Sequence, residues 1–184
     1  MKTFFLLFSV LFLTSATPEA EKPLVTPPAP FELDEAAYTE SFKMLYEEAN
    51  TKFKNLQKGD GVYMEDGSGT AYEVTATMSQ AREVKMLVDP ENYHKYIALY
   101  PEMAELREAE ALFNKILEIV IVNVPKDHKY KQAYADGYVN NLKIDVMLET
   151  EDHSALGRVP SVSLAMIYKD FAYSVEVIIS APYW

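Results

Sequence analysis

The side chains best suited to chemistry lie in one acidic stretch near the end of the chain and in three separate histidines. Glu149, Glu151, Asp152 and His153 form the only cluster of metal-ligating side-chain types. Such a cluster could hold a calcium ion, but a calcium loop needs ligands at fixed spacing and a glycine at its sharp turn. A solvated acidic loop is therefore the expectation, and neither a metal nor a cofactor is predicted.

General acid–base catalysis is the second chemistry that the residues could support. His94 or His153 could act with a nearby carboxylate in a small hydrolase or cyclase, but a catalytic histidine needs an orienting partner that the sequence does not locate. His128 is too far from either histidine in sequence to indicate a metal site. Gly67-Ser68-Gly69 is a turn and not a nucleophile elbow, and the chain has no cysteine for thiol chemistry. No catalytic residue is predicted, and a protein that is not an enzyme is favoured.

The composition favours binding. Thirteen tyrosines and eight methionines supply adaptable apolar surface, which suits a hydrophobic pocket or an ordinary core. A net charge of −11 argues against nucleic acid as a partner and against strong binding to anionic membranes. The absence of cysteine excludes a disulfide framework.

The first thirty-two residues are typical of an exported chain. Residues 1–16 have a basic start, a short apolar run and a small-residue site, which predict a cleaved signal peptide and a secreted or periplasmic location. Residues 17–32 hold five of the ten prolines and are expected to form an extended linker. A single α+β domain is predicted over residues 33–184.

Alternating patterns near the end of the chain predict an antiparallel meander. Inward-facing side chains are expected on three strands: Leu142, Ile144, Val146 and Leu148; then Val162, Leu164, Met166 and Tyr168; then Phe171, Tyr173, Val175, Val177 and Ile179. A tight turn is predicted at Lys169-Asp170.

Helical patterns are expected to supply the layer that covers this sheet. Asp34 can cap an amphipathic helix that continues to Gly59, with an apolar stripe that includes Tyr38, Phe42, Tyr46 and Phe53. An early hairpin is predicted over 61–65 and 70–78. The remaining expectations are short helices over 79–87 and from Asp89 to Tyr100, helix or strand over 102–113, a buried strand over 116–124 and a polar connection over 126–136.

One part of the chain resembles the START domain, the lipid-binding branch of the helix-grip superfamily. Lys58-Gly59-Asp60-Gly61-Val62-Tyr63 is similar to the entry strand of that family, and Val84–Tyr96 is similar to its helix-turn-helix. The resemblance implies a curved antiparallel sheet packed against N-terminal and central helices. A nuclear-transport-factor-like cone is the alternative fold.

The resemblance also implies a lipid or other hydrophobic small molecule as ligand, bound without catalysis between the first helix and the sheet. The expected lining residues are Tyr38, Phe42, Tyr46, Phe53, Tyr93, Tyr96, Phe171, Tyr173 and Val175. The alternative function is a structural or protein-interaction module of the cell envelope.

Overall fold

The computed structural model describes residues 31–134, 144–150 and 157–183, and these form an α+β structure with two helices and eight strands. The helices are α1 (Glu35–Ala49) and α2 (Leu106–Asn123). The strands are β1 (Gln57–Tyr63), β2 (Thr70–Val74), β3 (Glu83–Val88), β4 (His94–Leu99), β5 (His128–Tyr134), β6 (Ile144–Thr150), β7 (Ser161–Lys169) and β8 (Ala172–Ser180).

All eight strands belong to one curved, unclosed antiparallel sheet in the order β1-β2-β3-β4-β8-β7-β6-β5. A helix followed by a four-stranded meander occurs twice along the chain, and the last strands of the two meanders, β4 and β8, pair at the centre of the sheet. Both helices lie on the same face, where α1 contacts β8 and α2 contacts β7 and β8. The other face of the sheet carries no described helix.

The meander predicted from alternation is confirmed for most of its length. The fully buried side chains of β7 and β8 are Val162, Leu164, Met166, Val175, Val177 and Ile179, and Leu148 of β6 is also buried. Tyr168 and Tyr173 are half-buried. Leu142 lies outside the described residues, as do the side chains of Ile144 and Val146.

The prediction for Phe171 is wrong, because this residue is 89% exposed. It is a central residue of the β7–β8 turn, together with Asp170, and their φ angles are +65° and +51°. Two successive positive φ angles are the geometry of a two-residue hairpin turn. The turn therefore lies one residue later than predicted, so that Phe171 projects from the end of the sheet.

Helix α1 begins as predicted but ends ten residues early. The Asp34 carboxylate accepts a hydrogen bond of 3.0 Å from the Ala37 N–H and caps the helix. Beyond Ala49 the chain reverses through Lys52 and Phe53, whose φ angles are +57° and +55°. Phe53 is still fully buried, so the apolar spacing correctly predicted that this residue lies in the core and wrongly predicted that it lies in a helix.

The two short helices expected between residues 79 and 100 are absent, and strands β3 and β4 occupy most of this stretch. The Asp89 carboxylate accepts hydrogen bonds from the backbone of Glu91 and Tyr93, so it stabilises a turn between the strands rather than a helix start. The predicted helix-turn-helix over Val84–Tyr96 is therefore wrong. Tyr96 faces the core from β4, and its hydroxyl accepts a hydrogen bond from Met78 N–H at 2.9 Å.

The stretch from 102 to 124 contains helix α2, where helix or strand was expected over 102–113 and a buried strand over 116–124, so the strand prediction is wrong. The buried residues of α2 are Ala109, Leu112, Phe113, Ile116 and Val120, which fall at helical spacing. The polar connection predicted for 126–136 is also wrong, since β5 begins at His128. The early hairpin is confirmed with shifted bounds, as β1 and β2.

Candidate functional site

The residues expected to line a lipid pocket are mostly brought together, but as a filled core. Tyr38, Phe42, Phe53, Tyr96 and Val175 are fully buried. The ring centroids of Tyr38 and Phe42 are 6.2 Å apart, and those of Phe53 and Tyr96 are 6.0 Å apart. Aromatic rings at these separations are in packing contact, so these side chains occupy the space between α1 and the sheet.

The other expected lining residues lie at the margins of this core. Tyr46 packs on Phe42 with ring centroids 5.9 Å apart and is half-buried. Tyr93 packs against Tyr183 near the end of the described chain, at 4.3 Å between centroids. Tyr173 packs against Tyr168 at 4.7 Å. Together with the exposed Phe171, these residues do not converge on one cavity.

His94, the first candidate base, stands at the start of β4. Its Nδ1 is buried and has no hydrogen-bond partner among the described residues. Burial lowers its pKa, and the nearby positive charges of Lys52 and Lys54 lower it further, against the opposing effect of Asp89. Asp89 is itself paired with Lys95 at 3.0 Å, so it does not orient the imidazole. His153, the second candidate, lies outside the described residues.

The lowered pKa of His94 predicts a loss of stability on mild acidification. Protonation of His94 is disfavoured in the folded state, so its contribution to the free energy of unfolding is complete above the unfolded pKa of about 6.5 and is lost as the pH falls from there through the lower pKa of the folded state. The melting temperature should therefore drop between pH 7.5 and pH 5.5. The drop should be smaller in His94→Phe, and an equal drop in both proteins would show that His94 is not the responsible group.

A second histidine, His128, forms a polar network that the sequence did not reveal. Its Nε2 lies 3.0 Å from the Pro160 carbonyl oxygen and 3.1 Å from the Tyr46 hydroxyl. Its Nδ1 lies 3.3 Å from Asp127 Oδ1, and the Thr150 hydroxyl donates to Asp127 Oδ2 at 2.8 Å. Since a carbonyl oxygen can only accept, Nε2–H donates to Pro160.

This network connects α1, β5, β6 and the segment before β7. The Thr150 hydrogen bond, and then the one from His128, hold the pKa of the Asp127 carboxyl below its usual range. The imidazole is fully buried while Asp127 is half-exposed. Because Nε2 is committed to a carbonyl inside the fold, the arrangement is suited to holding these elements together and leaves no ring nitrogen for a substrate.

The face of the sheet opposite the helices, which we call the open face, carries aliphatic side chains that are only partly buried. These side chains alternate along β3, β4, β7 and β8 with the buried residues that face the helices. They are Leu87, Ile97, Leu99, Ile167 and Ile178. Ile97 pairs directly with Ile178 across the centre of the sheet. The apolar centre of this face is therefore the cross-strand pair Ile97–Ile178, with Leu99 next to Ile97 along the same face of β4.

Charges of both signs flank this apolar centre. Lys85 pairs with Ile97, and Glu176 pairs with Leu99. The charge of the helical side differs. Helix α1 carries four acidic residues and one basic residue, and α2 carries three acidic and two basic residues, which gives seven acidic and three basic residues in all. The two helices are thus strongly acidic, whereas the centre of the open face carries charges of both signs.

Within the described ranges, no group of three acidic or histidine side chains is placed to hold a metal ion. None of the described helices has the length and apolar character needed to cross a membrane. No protein family and no curated protein matches this chain.

Proposed function

We propose that this chain is an exported, non-catalytic module that binds another protein through the open face of its sheet. The observation that carries the proposal is the aliphatic contact of Ile97 and Ile178 on a face that no described helix covers. Neighbouring apolar side chains that keep part of their surface accessible and are rimmed by polar residues are typical of interaction sites on soluble proteins.

The size of the open face suits a protein partner. Eight strands at about 4.8 Å spacing extend over about 34 Å, and a strand of six residues is about 20 Å long. The resulting area of about 700 Å² is close to the roughly 800 Å² that each partner contributes to a standard interface. Lys85, beside the apolar centre, could pair with a partner's carboxylate and help to set the orientation of binding.

The filled core favours this proposal over lipid binding. Tyr38, Phe42 and Phe53 occupy the volume in which an acyl chain would lie. A START-like, helix-grip relationship stays a prediction, and it would be supported by recovery of a bound lipid. Native mass spectrometry of the purified chain, before and after lipid extraction, is expected to show one unchanged protein mass. A bound lipid would overturn the proposal in favour of a pocket.

Photo-crosslinking in the producing cells tests the proposed surface. A benzoylphenylalanine at Ile178 should yield a crosslinked protein of defined mass, because this side chain lies at the centre of the open face. The same probe at Glu118, on the exposed surface of α2, should not yield it. Ile97→Glu should abolish the product at Ile178 without changing the melting temperature by more than a few degrees. Equal products from both probe positions would contradict the assignment.

A further inference from the structure

A groove lies on the opposite side of the molecule, between α2 and the extended segment 31–34, which we call the entry segment. Its volume is about 340 Å³, at the lower end of the range for ligand sites. Its apolar floor is formed by Phe31, Leu33, Ala111 and Leu112. The groove is separate from the open face, so it stands independently of the function proposed above.

The rim of the groove is acidic. Glu32, Glu35, Glu108 and Lys115 surround the floor. Lys115 is already paired with Glu35 at 2.7 Å. The Glu32 and Glu108 carboxylates have no cationic partner among the described residues, so the rim has a net charge of −2. A ligand that brings a cation beside an apolar group would complement both the rim and the floor.

The entry segment is held in position before any ligand arrives. The side chain of Gln80 donates to the Glu32 carbonyl at 3.0 Å and accepts from the Asp34 N–H at 2.6 Å. The ring of Phe31 packs edge-on against Tyr100, with centroids 6.2 Å apart. A preformed wall lowers the entropy that binding must overcome.

The backbone of this wall identifies the kind of ligand. Segment 31–34 is neither helix nor strand, and the N–H and C=O of Leu33 form no hydrogen bond within the described residues. An extended peptide can pair with such groups while its side chains enter adjacent pockets. A small amine would satisfy the carboxylates and leave these backbone groups without a partner.

We propose that this groove binds a short extended peptide of a partner protein, with a lysine or arginine between Glu32 and Glu108 and an apolar side chain on the floor. The partner is thus a basic, apolar segment that lies along the entry segment. The acidic helical side of the molecule would attract such a segment at low ionic strength.

Titration of the full chain with two blocked tripeptides tests this proposal. N-acetyl-Leu-Lys-Leu-amide should bind with a dissociation constant of about 1 mM or tighter. The matched peptide with glutamate in place of lysine should show no measurable binding. Amide shifts in two-dimensional NMR spectra should be largest at Leu33 and Ala111. Equal binding of the two peptides, or no binding of either, would overturn the proposal.

Charge-neutral variants locate the site. The double variant Glu32→Gln/Glu108→Gln should bind the lysine peptide about tenfold more weakly than the parent. Glu110→Gln, the same change on α2 outside the groove, should bind it with an affinity within about twofold of the parent's. Both proteins should give the parent's circular dichroism spectrum, since these side chains are at least partly exposed. Unchanged affinity in the double variant would place the peptide elsewhere and refute the assignment.

A final comparison separates a peptide from a small amine. Octylamine carries the cation and the apolar chain but no backbone, and it should bind at least about tenfold more weakly than the lysine peptide. Equal affinity would show that the backbone of the entry segment contributes nothing and would overturn the peptide assignment. None of these outcomes depends on the Ile178 crosslink, so the proposal for the groove and the proposal for the open face can be refuted separately.

Discussion

Val177→Asp is expected to prevent folding of the domain. Val177 is fully buried on β8, where it pairs with Ala98 of β4 and Leu164 of β7. A carboxylate at this position has no partner and is removed from water, which costs several kcal/mol. Such a loss exceeds about 4 kcal/mol and approaches the whole stability of an ordinary domain. The far-ultraviolet circular dichroism spectrum should lose its cooperative thermal transition.

The next residue supplies a matched control. Ile178 lies between the same two strands, where it pairs with Ile97 of β4 and Ser163 of β7, but it faces the open side and is only partly buried. Ile178→Asp should therefore cost about 1 kcal/mol or less, and the protein should melt cooperatively. The same substitution should abolish the proposed protein contact. A parent-like melt of Val177→Asp would refute the inward facing of β8, and complete unfolding of both variants would show that the open face is covered.

The last three strands of the second meander, β6, β7 and β8, could be predicted from the sequence because their two faces differ. On β8, Val175, Val177 and Ile179 alternate with Ser174, Glu176 and Ser180, and only Ile178 interrupts the period of two. The last two strands of the first meander, β3 and β4, gave no such signal. On β4 both faces carry apolar residues, Tyr96 and Ala98 inward and Ile97 and Leu99 on the open face. The apolar residues that make the open face a candidate interaction surface therefore also hid the alternation that would have predicted β4.

Helix α2 shows tertiary packing overriding local propensity. Ile119, Val120, Ile121 and Val122 are β-branched, which favours a strand when the run is considered alone. In the fold only Val120 of this run is fully buried, and Val122 is 81% exposed. The buried positions from Ala109 to Val120 instead follow the helical period. The free energy gained when this apolar stripe covers β7 and β8 outweighs the lower helix propensity of the β-branched residues.

The network at His128 could not be predicted because its members are distant in sequence. Tyr46 and His128 are 82 residues apart, and the sequence suggested a ligand-lining role for Tyr46 and no role for His128. Only the pairing of β5 with β6 and the placement of α1 bring these groups together with Thr150 and Asp127. A buried polar contact of this kind depends on the fold and leaves no local pattern.

His128→Ala is expected to cost about 2–4 kcal/mol, the second-largest effect that the structure predicts. The substitution opens a cavity at a buried site and removes the imidazole from the Pro160 carbonyl and the Tyr46 hydroxyl, which keep only their mutual hydrogen bond of 3.3 Å. Lys126→Ala, an exposed change two residues away, should stay within about 0.5 kcal/mol. Urea unfolding of both variants measures the difference.

A double-mutant cycle then distinguishes a connected network from independent contacts. Tyr46→Phe removes only the hydroxyl and should cost about 1 kcal/mol in the parent. That hydroxyl lies 3.1 Å from His128 Nε2 and otherwise donates only to the Pro160 carbonyl, so the same change should cost less once His128 is alanine, which gives a coupling of at least about 0.5 kcal/mol. Additive losses would show that Tyr46 and His128 stabilise the fold separately. Coupled losses would show that the buried imidazole holds α1 against the second meander, the half of the sheet whose last strand carries Ile178.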